Sequence, residues 1–193
     1  MTSRTHDAIA FAFLITVAAV FPPENLNLPT LLIAVIAADV GTAIPDMDSA
    51  GNRLWHMLPA GERTGKVLRR VFYKHRTLTH SIVGTYIIYK ILEYILIKFL
   101  NPAFLDPNII LISLMVGYVS HIVADSFTEE GVPLLFPFKF TFGIPPFRPI
   151  RIKTGQWFEN FIIYPGVWLY LLWFINANQG ELINVLKLVS SNN

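Results

Sequence analysis

Four of the five apolar runs in this sequence carry histidine or aspartate at one edge, and it is the same edge if the runs are helices crossing a layer in turn. The runs are Ala8–Phe21, Thr30–Ile44, Leu78–Leu100, Ile109–Ala124 and Phe161–Ile175. His6 precedes the first, and Pro45-Asp46-Met47-Asp48 follows the second. His75 and His80, in H-R-T-L-T-H-S, open the third. His121 and Asp125, in H-I-V-A-D, close the fourth. Alternating helices bring all four clusters to one face. Histidines placed only for packing have no reason to sort in this way. Neutral imidazoles and carboxylates gathered together have the composition of a metal site.

A layer for such helices to cross is implied by the composition. Hydrophobic residues make up 53% of the 193 positions and charged residues 15%, against about 25% charged in an ordinary soluble domain. Mean hydropathy is +0.50. The fold class expected is therefore all-α, an integral membrane bundle of about four to five spans, in a single domain over residues 1–193. A net charge of +2 is too small to argue for nucleic acid. With no cysteine, disulfides and thiolate ligands are excluded. The first run stops at Pro22-Pro23 with no small-residue cleavage site, which reads as a retained helix rather than a signal peptide.

A full span needs about 20 mostly apolar residues. Only the third run reaches that by itself. The others, at 14 to 16 residues, need their polar flanks to join the helix. Within the third run Lys90 and Glu93, three apart, can pair on one face. Asp39, inside the second run, is expected to face the bundle. Phe136, Phe138, Phe140 and Phe142 alternate, a period of two that predicts an extended strip with its rings on one face. The strip is read as packing on the bundle, with the membrane interface as the other placement. Ser190–Asn193 reads as a frayed tail.

Charge asymmetry orients the bundle. Twelve of the fifteen lysines and arginines fall on the side of the N-terminus, in Thr2–Asp7, Ser49–Lys74 with Arg76, and Ser126–Asn160. Lys90, Lys98 and Lys187 are the exceptions. Positive residues mark the cytoplasmic side. The N-terminus and the polar clusters are therefore expected to face the cytoplasm from an inner membrane.

His121 and Asp125 are four apart and share a helical face, so they can hold one ion, or the aspartate can orient the imidazole. Asp46 and Asp48 on a turn can grip one metal or bridge two, and Asp48 can equally cap the segment after it. His75 and His80 align only if His75 precedes the helix and His80 lies in its first turn. Arg76 suits a phosphate, although it also serves as positive-inside charge. His56, in the basic loop, reads as a surface residue. The metal ligands expected are thus His6, Asp46, Asp48, His75, His80, His121 and Asp125. Nitrogen and carboxylate donors without sulfur suit zinc first, with manganese or iron as alternatives, in one or two copies. Hydrolysis is the natural chemistry of such a site, with Asp46 or Asp48 as proton acceptor.

At these residues the chain resembles a known family. R-T-H, I-P-D-M-D, H-R-T-L-T-H-S and G-Y-V-S-H-I-V-A-D-S-F-T-E-E-G-V-P-L-L-F-P-F are similar to motifs of the YdjM-like family of predicted inner-membrane, metal-dependent hydrolases, some of them LexA-regulated. The resemblance runs from about Thr5 to Phe138. It implies a multi-span membrane protein with a metal site. A more distant similarity, to zinc-dependent phospholipase C and the S1/P1-type nucleases, implies His6, Asp46, His75, His121 and Asp125 as ligands. The chain departs from that pattern after Asp125, where it has no later histidine.

The function expected is a membrane-bound hydrolase acting at the cytoplasmic face on a phosphoester or lipid-derived substrate, such as a phospholipid, with the bilayer as partner. A metal-binding transport or sensing protein is the alternative, and a non-catalytic structural membrane protein is another.

Overall fold

The computed structural model describes residues 1–47 and 78–191. Asp48, His75 and Arg76 lie outside the described residues, as do His56 and most of the basic loop. Within them are six α-helices: α1 Ser3–Val20, α2 Leu28–Ala43, α3 Ile82–Phe99, α4 Pro107–Ser126, α5 Tyr164–Ala177 and α6 Gln179–Ser191. No strand forms among the described residues. Two isolated bridges, Thr128 with Ile152 and Val132 with Phe142, are the nearest approach to one.

Local chemistry sets the helix starts. Asn27 accepts from the Thr30 amide at 2.8 Å, and Asp106 accepts from those of Asn108 and Ile109. Both satisfy donors that a helix start leaves open. Pro29 and Pro107 stand in first turns, where no amide hydrogen is needed. Ser81 caps α3 by accepting from Gly84 at 3.0 Å.

The polar flanks do join the helices. α1 is 18 residues long, α4 is 20, and α5 with its preceding π-helical turn Glu159–Ile163 is 19, and these three are long and apolar enough to cross a membrane. The run read as the one self-sufficient span gives instead the 18-residue α3, which carries Lys90, Glu93 and Lys98. It is as apolar as its neighbours, but its three charged side chains set it apart from them. Lys90 pairs with Glu93 at 2.7 Å, as their spacing predicts, on an exposed flank. Asp39 is half-buried rather than enclosed.

α2 and α4 form the central pair, with α1 against both, α3 on α4, and α5 and α6 on α1. Their backbones nearly touch: a methyl group on Gly117 would lie 2.0 Å from the Ala38 carbonyl oxygen, and one on Gly41 2.2 Å from that of Leu114. Small residues let helices approach where lipid removes any hydrophobic drive between them. Tyr118, Leu114, Ile110, Ile44 and Val132 close the apolar core around this crossing.

Two expectations are corrected. Ser190 and Ser191 of the expected tail continue α6, whose Val185 is buried, because apolar positions between Leu182 and Val189 give this segment a face to pack on α1, while Asn192 and Asn193 lie outside the described residues. The phenylalanine strip is not extended. The chain turns through residues 134–137, with the Phe136 amide donating to the Pro133 carbonyl at 3.0 Å and that of Phe138 to Leu135 at 2.9 Å. Pro133 and Pro137 interrupt any ladder, since proline donates none of the bonds a strand needs. Nor does the strip pack: Phe138 is 74% exposed and Phe140 57%.

Candidate metal centre

Four helix ends supply the cluster. His6 lies early in α1, and Asp46 follows α2 in a turn closed by the Met47 amide on the Ile44 carbonyl. His80 sits in the 3₁₀ turn Leu78–His80 that leads into α3. His121 and Asp125 stand one turn apart in the last two turns of α4. The described members of all four clusters therefore meet at one end of the bundle.

Asp125 is at the centre. Its Oδ1 lies 3.2 Å from His6 Nε2, and its Oδ2 lies 3.5 Å from His121 Nε2 and 3.9 Å from His80 Nε2. Asp46 Oδ1 lies 3.4 Å from His80 Nε2 and 3.6 Å from His121 Nε2. The rings of His6 and His121 stack at 3.8 Å. His6, His80, His121 and Asp125 are buried, whereas the Asp46 side chain remains 34% exposed. Asp46 is thus the open edge of an otherwise closed cluster.

Four of these five separations exceed those of hydrogen bonds, which run at about 2.7–3.2 Å, and suit a shared cation. Two donors about 2.1 Å from one tetrahedral ion stand about 3.4 Å apart. Each of two triads, His6 with His121 and Asp125, and Asp46 with His80 and His121, has its donor atoms within 4.8 Å of one another. His6 Nδ1 and both ring nitrogens of His121 are buried without a hydrogen bond among the described residues. A buried polar atom left so costs about 1–3 kcal/mol. By donor set and spacing, the residues fit a divalent ion.

Electrostatics agree with that reading. Burial works against charge on Asp46, but His121 and His80 beside it outweigh burial and hold its carboxyl below the ordinary range. Burial is also the largest influence on His80. It pushes the imidazole below its ordinary 6.5 despite Asp46. A carboxylate and a neutral imidazole are the forms that bind metal.

Supporting contacts went unread in the sequence. The Thr79 hydroxyl lies 3.2 Å from His80 Nδ1, which turns Nε2 toward Asp46. Tyr118, fully buried one turn before His121, donates its hydroxyl to the Thr79 carbonyl and ties the His80 turn to α4. Glu159, also fully buried, accepts from the Thr2 amide at 2.7 Å, the Thr2 hydroxyl at 2.8 Å and the Gly155 amide at 2.7 Å. It anchors the start of α1 four residues before His6. The Met1 amino group lies 2.5 Å from Asp125 Oδ1. A glutamate opening the last apolar segment, within a π-helical turn, was the available signal for Glu159.

Comparison with known proteins places this geometry in a family context. The family described as YdjM inner membrane protein matches residues 1–187. The uncharacterized protein YvsG of Bacillus subtilis is 29% identical over 135 residues, 70% of this chain and 72% of YvsG. The inner membrane proteins YdjM of Escherichia coli and Shigella flexneri are each 33% identical over 119 residues, 62% of this chain. The match spans 55% of each, just over half their length. No solved structure matches the chain.

Proposed function

The chain belongs to the YdjM inner membrane protein family, and on that premise we propose that it is a membrane-bound, metal-dependent hydrolase of a phosphoester or lipid-derived substrate. One observation carries the reading. Five nitrogen and carboxylate donors from four helix ends converge, with one pair at 3.2 Å, the long end of the hydrogen-bond range, and the other four separations at 3.4–3.9 Å, beyond it.

In this reading His6, Asp46, His80, His121 and Asp125 hold one or two divalent ions, zinc first and manganese or iron after it. When bound, such an ion supplies an activated water near neutral pH and polarises a phosphoryl oxygen. The protein's part is arrangement. Tyr118 and Thr79 fix the His80 ring. Glu159 fixes the start of the helix that carries His6. The closed side of the cluster excludes water, and the open edge at Asp46 admits the substrate. There Asp46 is placed to accept a proton. Asp48, two residues after Asp46, and His75 and Arg76, five and four residues before His80, complete the proposed set, with Arg76 to hold the phosphate. The edge faces the cytoplasm by the distribution of lysine and arginine.

Elemental analysis of the detergent-purified protein tests the site apart from any activity. Wild type is expected to carry one or two equivalents of metal and His121→Ala to lose them. Metal-loaded wild type should then turn over phosphoesters. Metal without turnover favours transport or sensing, and no metal in either sample favours a purely structural cluster.

A further inference from the structure

The geometry points to the segment 127–158 as a membrane-interface element that seats an anionic phospholipid, with its phosphate among Lys139, Arg148 and Lys153 and one acyl chain in the groove between α3 and α4. The inference does not depend on the hydrolase reading. Its first support is position. The segment joins α4 to the helical stretch Glu159–Ala177, and both are apolar enough to cross a membrane. A segment that links two such helices lies at the bilayer surface.

Its second support is the set of side chains the segment shows there. Phe138, Phe140, Phe147 and Trp157 stand between 57% and 74% exposed. Rings of this size in water would be costly, and several of them together mark a binding surface. The exposed cations alternate with them, Lys139 between Phe138 and Phe140, Arg148 beside Phe147, and Lys153 four residues before Trp157. Interleaved aromatic and basic side chains are the composition of the headgroup layer. Arg151, in contrast, is buried and donates to the Pro145, Pro146 and Gly143 carbonyls, which holds the segment's shape.

The third support is the groove. Phe142 and Ile144 of this segment wall an apolar groove of about 620 Å³ whose other sides are Tyr86 and Tyr89 of α3 and Val119 and Met115 of α4. It runs along a helix that crosses the membrane, so the hydrocarbon beside it is lipid. A chain in the groove leaves its headgroup at the level of the segment's cations. Each basic residue near an anionic surface favours it by about fivefold.

The chain has no cysteine, so single labels are unambiguous. Full-length Phe140→Cys and Val119→Cys, each carrying an environment-sensitive dye, are reconstituted in vesicles of phosphatidylcholine and phosphatidylglycerol at one fixed ratio. Either lipid in turn carries bromine on its acyl chains. The Phe140 label is expected to emit as from an apolar medium, and both labels to be quenched several-fold more by brominated phosphatidylglycerol. Lys139→Gln, Arg148→Gln and Lys153→Gln together should erase that preference. Emission from water at position 140, no quenching at position 119, or equal quenching by the two lipids overturns the proposal.

Discussion

Tyr118 shows how much of the cluster depends on residues that are not themselves donors. Its hydroxyl reaches the Thr79 carbonyl, and Thr79 in turn contacts His80 Nδ1. Such outer partners are worth about 10–100-fold in metal affinity. Tyr118→Phe is therefore expected to weaken metal retention against a chelator by that order while the protein still folds, which competition titration would measure. Glu159→Ala removes the acceptor for three donors and is expected to cost about 1–3 kcal/mol, read as a lower thermal midpoint in detergent. The pH response comes from His80 and Asp46, both depressed in the fold. As pH falls below the ordinary histidine value of 6.5, the unfolded chain takes up a proton that folded His80 refuses. Stability of the metal-free protein should therefore decline from about pH 6.5 downward. Asp46 adds a second loss once pH falls below its ordinary 3.8. Thermal unfolding of wild type beside His80→Ala should show the wild-type midpoint falling more steeply on acidification than that of the variant, and equal slopes would contradict the assignment.

Among the elements, the α2–α4 crossing governs the rest. A methyl group on Gly117 would sit 2.0 Å from the Ala38 carbonyl oxygen, and backbone cannot give way cheaply. Gly117→Ala is expected to cost about 1–3 kcal/mol by overpacking and to lower metal content, because Asp46 and His121 ride on the two helices. Gly166→Ala, where nothing lies within 4 Å of the added atom, is the control and should lower neither, since alanine favours a helix over glycine. The existence of α1 to α5 was legible from the apolar runs, but their starts were not, because the caps Asn27, Ser81 and Asp106 went unread. The 136–142 segment was not. Its period of two imitates a strand, while Pro133 and Pro137 forbid one, and alternation says nothing of which partner would pair with it. α6 escaped because its 13 residues are too short and too polar to read as a span, and its apolar face finds a place to lie only through packing on α1, α2 and α5.

For the whole molecule, the proposed orientation rests on the metal-site residues gathered at one end and on the twelve of fifteen basic residues that the expected topology assigns to that side. Single cysteines at Phe104, in the exposed α3–α4 connection, and at Lys139 should label from opposite sides of intact cells, with Lys139 protected from external reagent until the membrane is opened. Reaction of both from the same side would remove the proposed orientation.

The sequence by itself determined that this chain is a helical membrane protein and that His6, Asp46, His80, His121 and Asp125 come to one end of it. Both come from composition and from the order of apolar runs, which depend on nothing distant. Only the tertiary structure decided which atoms meet. Helix rotation is set by the close contact of Gly41 and Gly117 with the facing backbones, and that rotation turns both oxygens of Asp125 toward imidazoles from three different elements. It also decided that Asp46 stays at the open edge and that Glu159, more than 150 residues away in the chain, anchors the helix bearing His6. Sequence spacing reports neighbours on one helix, whereas the angle between helices depends on packing between residues far apart in the chain.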